Sequence, residues 1–394
     1  MKYDFDTVVD RRTSYAVKWD VCRDGELPMW VADMDFKAAP EILEALRTRL
    51  DNGVFGYSSL PEEWAMSYVH WWKNRHGLEI DPSRLTFATG VIPILSSAVR
   101  EFTSPLDNVL IQSPVYNMFF KAVSDNGRKI LESPLVYEDD AYSMDFDDLE
   151  AKLSDPRTTM MILCNPHNPA GRIWSRTELE TLGDLCFRHD VLVLSDEIHC
   201  DITDPGVMYT PFASVSGRCR DNSITAIAPT KCFNIAGIQS AAAMAPDPVL
   251  CRRIRKALES DSVAEPNAFA IAATIAAFEH CGPWLDEMRS YVFENKQTVL
   301  SFVEKNIPDL HVVPSAATYL LWLDCSAYIS GFPDSEALAK EIRRKTGLFL
   351  SNGIQYGEPG RSFLRMNIAC PRTLLLDGLD RLAKALSGIR EAVS

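Results

Sequence analysis

Between about residues 85 and 245 this 394-residue chain alternates short, uninterrupted apolar runs with stretches of helix length, and that alternation leaves few folds open. The runs fall at 84–88, 108–112, 158–163, 191–194 and 223–228. A strand that is apolar on both sides has to be covered on both sides, and the intervening helical stretches supply the cover. The expectation is a mainly parallel sheet in an α/β arrangement. After Pro283 the spacing becomes helical, with Leu285, Met288, Val292, Val299, Phe302 and Val303 on one face, and the run 319–323 then opens an α+β segment. A helix over 40–50 follows an extended N-terminal arm, and that arm is expected to pack with this segment. The reading is therefore a large α/β domain, residues 46–284, inserted into a smaller α+β domain made of residues 1–45 and 285–394.

The balance of 40 Lys and Arg against 54 Asp and Glu, a net charge of −14, offers no basic footprint for a phosphate backbone or an anionic membrane surface. Nucleic acid and membrane are therefore not expected as partners. The mixed-charge start Met1-Lys2-Tyr3-Asp4-Phe5-Asp6 lacks a signal-peptide core. The most apolar window, 268–278, is too short for the ~20 residues of a membrane span. Ten cysteines lie singly along the chain with no Cys-x-x-Cys pair, as expected of reduced, mostly buried thiols in a cytoplasmic protein. The Gly-x-Gly-x-x-Gly, Gly-x-x-x-x-Gly-Lys-Ser/Thr and Gly-x-Ser-x-Gly signatures are missing, which removes support for dinucleotide, P-loop and α/β-hydrolase chemistry.

Four sequences at the ends of expected strands carry chemistry, where open parallel sheets hold their ligands. In Ala88-Thr89-Gly90-Val91-Ile92-Pro93 a strand turns into a helix through small residues, leaving backbone N–H groups free to cradle a phosphate; an ordinary turn would read the same way. Cys164-Asn165-Pro166-His167-Asn168-Pro169-Ala170-Gly171-Arg172 is a proline-fixed loop that can hold an amide rigidly, in residues that are also common turn formers. Leu194-Ser195-Asp196-Glu197-Ile198-His199 ends an apolar strand on a carboxylate, costly there unless a cation or hydrogen-bond donor meets it. Ala228-Pro229-Thr230-Lys231-Cys232-Phe233 sets a lysine in apolar surroundings. Such a lysine is either a surface residue with a buried stem or a reactive amine. Cys164, His167, His199 and Cys200 could be drawn as a metal cluster, but their spacing is not that of a structural site and no metal is expected.

Together these sequences resemble the fold type I pyridoxal-phosphate enzymes of the class I/II aminotransferase superfamily, and within it the MalY/PatB-type cystathionine β-lyases. The resemblance runs from Leu27-Pro28-Met29-Trp30-Val31-Ala32-Asp33-Met34-Asp35-Phe36 to Phe363-Leu364-Arg365-Met366-Asn367-Ile368-Ala369-Cys370-Pro371-Arg372. It implies the aspartate-aminotransferase-like fold, with a mainly parallel seven-stranded sheet in the large domain, and pyridoxal 5′-phosphate as cofactor. By the same resemblance Lys231 holds the cofactor covalently and removes the substrate's Cα proton, and Asp196 faces the ring nitrogen. Asn168, with His199, meets the ring's phenolic oxygen, and Tyr116 stacks on the ring. Gly90, Val91, Ile92 and Thr230 take the phosphate, completed by Tyr57 of the partner in a homodimer. Arg365 clamps the substrate carboxylate, with Ala32 and Tyr116 beside the substrate.

The implied reaction is β-elimination from L-cystathionine or another S-substituted L-cysteine to thiol, pyruvate and ammonia. An aminotransferase shares the same cofactor residues and remains the alternative. A pyridoxal-phosphate-binding regulator acting through a protein partner is a third, disfavoured by the acidic balance and by a chain that starts directly with the enzyme-like arm. Two positions depart from the pattern. Gln239 stands where aminotransferases often have a phosphate-binding arginine, and Asn117-Met118 stands where the β-lyases more often have His-Pro.

Overall fold

The structure is a computed structural model and describes residues 2–393. Its largest sheet has seven strands: β1 (Leu85–Ala88), β2 (Asn108–Ile111), β3 (Lys129–Glu132), β4 (Thr158–Cys164), β5 (Leu192–Asp196), β6 (Ser223–Ile227) and β7 (Ala241–Met244). They lie in the order β1-β7-β6-β5-β4-β2-β3. Every neighbouring pair is parallel except the two made by β7, which runs antiparallel to both β1 and β6. The sheet is thus mainly parallel, as the apolar runs require. Strands β3 and β7 were not among the expected runs. The sequence of β7, Ala241-Ala242-Ala243-Met244, has no β-branched or aromatic residue to mark it, and pairing on both edges makes it a strand.

Alternate residues of the central strands feed different apolar clusters. Ile111, Met160, Leu194 and Ala226 pack with Ile94, Leu95 and Ala98 of helix α1 (Val91–Phe102) on one face. Leu110, Met161, Leu163 and Val193 pack with Leu179 and Leu182 on the other. Burial on both faces is what the uninterrupted apolar runs signalled. The apolar window near 268–278 forms helix α2 (Ala270–His280), enclosed by the helices Pro40–Asp51 and Glu62–His76. No helix among the described residues is long and apolar enough to cross a membrane.

A second sheet has four strands, β8 (His311–Val312), β9 (Leu320–Asp324), β10 (Ser351–Asn352) and β11 (Phe363–Asn367), in the antiparallel order β8-β9-β11-β10. The arm joins this part of the molecule: Leu27–Pro28 pairs in parallel with Leu348–Phe349. The helix Pro40–Asp51 forms as expected, and the spacing past Pro283 becomes the long helix Gly282–Asn306. The seven-stranded sheet thus offers the ends of its parallel strands, and the second sheet brings Arg365, on β11, to meet them.

Candidate active site

Three parallel strands deliver their chemistry to one edge. Strand β5 ends on Asp196, whose Oδ1 accepts the Ile198 N–H at 3.1 Å and so turns back over its own chain. Strand β4 ends on Cys164, and the loop that follows is held on both sides. Asn168 donates its N–H to Cys164 Sγ at 3.4 Å, and Gly171 accepts from Ala316 and Ala317 at 2.9 and 3.0 Å. Gly171 has φ +66°, and a Cβ there would sit 2.6 Å from Ala317 O and Ser315 Cβ, so only glycine lets this loop approach the 315–317 segment. After β6, Thr230 accepts from Ile235 N–H at 3.0 Å, and this turn presents Lys231.

Lys231, Asp196, Asn168, His199, Tyr116, Gly90, Val91, Ile92 and Ala32 all line one cavity of about 200 Å³, so most of the residues singled out in the sequence come together. Cys164, Pro93 and Ile198 line it too. Sequence reasoning missed these as cavity residues because nothing distinguishes them from core. Lys231 Nζ donates to Ala32 O at 2.6 Å. Arg365 and Thr230 are buried but do not line the cavity. Arg365 stands behind Asn168: its Nη1 donates to Asn168 Oδ1 at 2.8 Å, its Nη2 donates to Trp30 O at 3.0 Å, and its guanidinium lies 4.8 Å from the Tyr356 ring centre. Tyr57 is outside the cavity and fully exposed in the single chain.

Burial governs the electrostatics. It pushes the Asp196 carboxyl up to about 7, with the neighbouring Glu197 adding to the rise and Lys231 opposing it. It pulls the Lys231 amine down to about 8; Asp33 and Asp196 resist that fall and Arg365 assists it. His199 is pulled down to about 3 by burial, Lys231 and Arg365, so it is neutral, and its Nδ1 is buried without a partner. Burial pushes the Tyr116 phenol up to about 12, so it too is neutral. A buried lysine whose amine is brought down to about 8, a buried carboxyl with no direct cation partner, an unpartnered ring nitrogen and the N-terminus of a 12-residue helix at Gly90 form a donor and acceptor set that is only partly satisfied within the chain. These residues fit a phosphorylated heteroaromatic aldehyde such as pyridoxal phosphate.

The residues weighed as a metal cluster do not assemble as one. Among the described residues the group with ligand-like spacing is His76, Cys200 and Asp201, and there Asp201 already accepts from Trp71 Nε1 at 3.0 Å and pairs with His76 Nε2 at 2.9 Å. All ten cysteines are unpaired, nine of them buried.

The sequence model of the aminotransferase class I and II family matches residues 31–382, spanning both sheets and every residue of the cavity. The chain belongs to that family. It is 45% identical over 391 residues to the cystathionine beta-lyase PatB of Bacillus subtilis, covering 98% of this chain and all of that protein. It is 34% identical to the protein MalY of Escherichia coli, over 98% of this chain and all of that one. Among solved structures, cystalysin from Treponema denticola, which contains a pyridoxal 5′-phosphate cofactor, superposes with a TM-score of 0.95 at 34% identity. The match covers 99% of this chain and all of that one. Open α/β sheets hold their ligands at the carboxyl ends of the strands, which is where this cavity lies.

Proposed function

We propose that the chain is a pyridoxal-phosphate-dependent carbon–sulfur β-lyase that takes L-cystathionine or a related S-substituted L-cysteine. The observation that carries the reading is the full-length likeness to a named cystathionine β-lyase, in a chain whose family match spans the cavity. The bound cofactor supplies an electron sink for the carbanion left when the Cα proton departs.

The rest falls to the chain's own side chains. Lys231 is the residue that anchors the cofactor and, as a free amine, accepts the Cα proton on Nζ; an amine brought down to about 8 holds a useful neutral fraction at neutral pH. Asp196 supplies the counter-charge for a protonated ring nitrogen, a partner that would restore it to the charged state that burial alone disfavours. Tyr116 lies against the ring. Asn168 keeps its NH2 for the ring oxygen while Arg365 occupies its Oδ1. Neutral His199 offers Nδ1. The N-terminus of α1 at Gly90, Val91 and Ile92 takes the phosphate, with the Thr230 hydroxyl from the turn. Arg365, whose Nε has no partner, receives the substrate carboxylate beside Ala32. Loss of the Cα proton and expulsion of thiolate from Cβ leave 2-aminoacrylate, which hydrolyses to pyruvate and ammonia.

The active assembly in this reading is a homodimer. Val54, Phe55 and Tyr57 are exposed on one short segment, as an interface across which Tyr57 completes the partner's phosphate site would require. The unpaired thiols suit a cytoplasmic enzyme. The arm and residues 285–394 form the smaller domain around a large one of residues 46–284.

The test is to supply L-cystathionine to the cofactor-loaded protein with no 2-oxo acid present. Sustained release of pyruvate and free thiol is expected; turnover only after a 2-oxo acid acceptor is added would make the chain an aminotransferase.

A further inference from the structure

The amine of Lys231 meets the N-terminal arm at the carbonyl oxygen of Ala32, to which Nζ donates at 2.6 Å. The segment that carries this oxygen is held through its backbone from two sides. From the second sheet, Asn367 Nδ2 donates to Val31 O and Asp33 O at 2.6 and 2.8 Å, and the Asn367 N–H donates to Met29 O at 2.8 Å. Arg365 Nη2 and Ser351 Oγ meet on Trp30 O at 3.0 and 2.6 Å. From the lysine's own turn comes the side chain of Asn234. Its Oδ1 accepts the Met34 N–H at 3.1 Å, and its Nδ2 donates to Met34 O at 3.1 Å and to Phe36 O at 2.8 Å.

Asn234 lies three residues beyond Lys231 at φ +56°, in the left-handed region that asparagine enters more readily than most side chains. The turn between them is closed by the Phe233 N–H on Pro229 O at 3.1 Å and the Ile235 N–H on Thr230 O at 3.0 Å. An amide that offers one acceptor and two donors to a peptide N–H and two carbonyls grips the segment as a neighbouring strand would, and resists its sliding. The segment is thus fixed at Met34 and Phe36 to the lysine's turn and at Met29 to Asp33 to the second sheet. It touches both groups that handle the substrate's α-carbon: Trp30 O takes Arg365, and Ala32 O takes Lys231.

We infer that the Ala32 carbonyl is the seat of the free Lys231 amine during proton transfer, and that Asn234 is a positioning residue that fixes this seat to the lysine's turn. This rests on the cofactor reading above. One N–H of the neutral amine donates to the carbonyl, which holds the nitrogen lone pair in a set direction while the substrate's Cα–H bond breaks. The proton forms a new N–H bond on Nζ, and the electron pair of the broken bond passes to the cofactor. Arg365 holds the substrate carboxylate through contacts that do not involve Asn234. Loss of Asn234 therefore slows proton transfer and leaves substrate binding nearly as it was.

The experiment gives the holoenzyme L-alanine, which has a Cα proton and no group to expel from Cβ. Binding is read as a dissociation constant from the change in visible absorption, and proton transfer as exchange of the Cα hydrogen in deuterated water followed by proton NMR. Wild type, Asn234→Gly and Asn234→Asp are compared. Glycine accepts φ +56° and removes all three hydrogen bonds; aspartate keeps the acceptor for the Met34 N–H and turns an oxygen on Met34 O and Phe36 O. In both variants exchange is expected to fall about 10- to 100-fold, the scale of a misplacement of about 1 Å, with the dissociation constant within about threefold of wild type. An exchange rate within about threefold of wild type in Asn234→Gly overturns the proposal, as does a dissociation constant that rises in step with the fall in rate, which would mark general loosening. Backbone deuterium uptake of the stripped protein, read by mass spectrometry over residues 30–36, should quicken in Asn234→Gly. Rapid uptake there in the wild type is refutation even if neither variant loads cofactor. Normal alanine exchange without pyruvate release from L-cystathionine would remove the lyase reading and leave this inference standing. A wild type with no visible band would remove the cofactor reading, and this inference with it.

Discussion

Asp196→Asn in the cofactor-free chain isolates the stability cost of keeping a carboxylate ready for a cation. Burial raises Asp196 from 3.8 to about 7. The folded chain therefore holds this proton more tightly than the unfolded chain does, so stability is full below the unfolded value and drains away as pH climbs through the interval to about 7. At about 1.4 kcal/mol per pH unit the ceiling on that loss is about 4 kcal/mol, and relaxation around the charge should leave about 2 kcal/mol. Asparagine keeps the acceptor for the Ile198 N–H and has no charge to bury. For a chain of this length about 2 kcal/mol corresponds to roughly 2–4 °C in melting temperature. Melting of stripped protein between pH 5 and pH 8.5 is expected to show the variant gaining that much on the wild type as pH rises. Added pyridoxal phosphate should raise the wild type more than the variant, because its ring nitrogen gives the carboxylate a cation. Parallel melting curves across the whole range would refute the claim that Asp196 bears this cost.

Lys231→Ala removes both the anchoring amine and the proton acceptor, so pyruvate release from L-cystathionine should fall by at least about a thousandfold with far-ultraviolet circular dichroism unchanged; steady turnover would remove Lys231 from its role. Arg365→Lys keeps the charge but loses the fork that spans Asn168 and Trp30 O. With about 1.5–3 kcal/mol for a charged hydrogen bond, KM should rise about 10- to 100-fold with a smaller change in kcat, read from initial rates. Gly353→Ala would drive a Cβ into the carbonyl oxygens of Gly360 and Phe363 beside β11; a melting temperature within 1 °C of wild type would contradict that packing.

Much of the fold was legible in local pattern, because a strand buried on both faces has to be apolar at every position and such runs mark themselves. The runs at 108–112, 158–163 and 223–228 are the clearest cases, each recovered within a residue or so as β2, β4 and β6. The Ala-rich β7 was not legible, since its strand character comes from pairing on both edges, with β6 on one side and with Leu85–Ala88, more than 100 residues away, on the other. The site divides in the same way. Residues at strand ends, such as Asp196 and Lys231, announce themselves because a charge among apolar neighbours needs a reason. Arg365 differs: its side chain makes its contacts with Asn168 and Trp30, from behind the cavity, and sequence position alone does not convey that.

The sequence by itself determined the layered α/β architecture, the family and the identity of the charged groups at the strand ends, since each depends on residue type and short-range order. Tertiary structure alone decided how strongly those groups hold their protons and which of them face one another. Burial of Asp196 and Lys231 in one small cavity, and the approach of the Ala32 carbonyl, 199 residues earlier in the chain, to the Lys231 amine, are properties of the closed chain, because desolvation and hydrogen bonding depend on distances that no local pattern records.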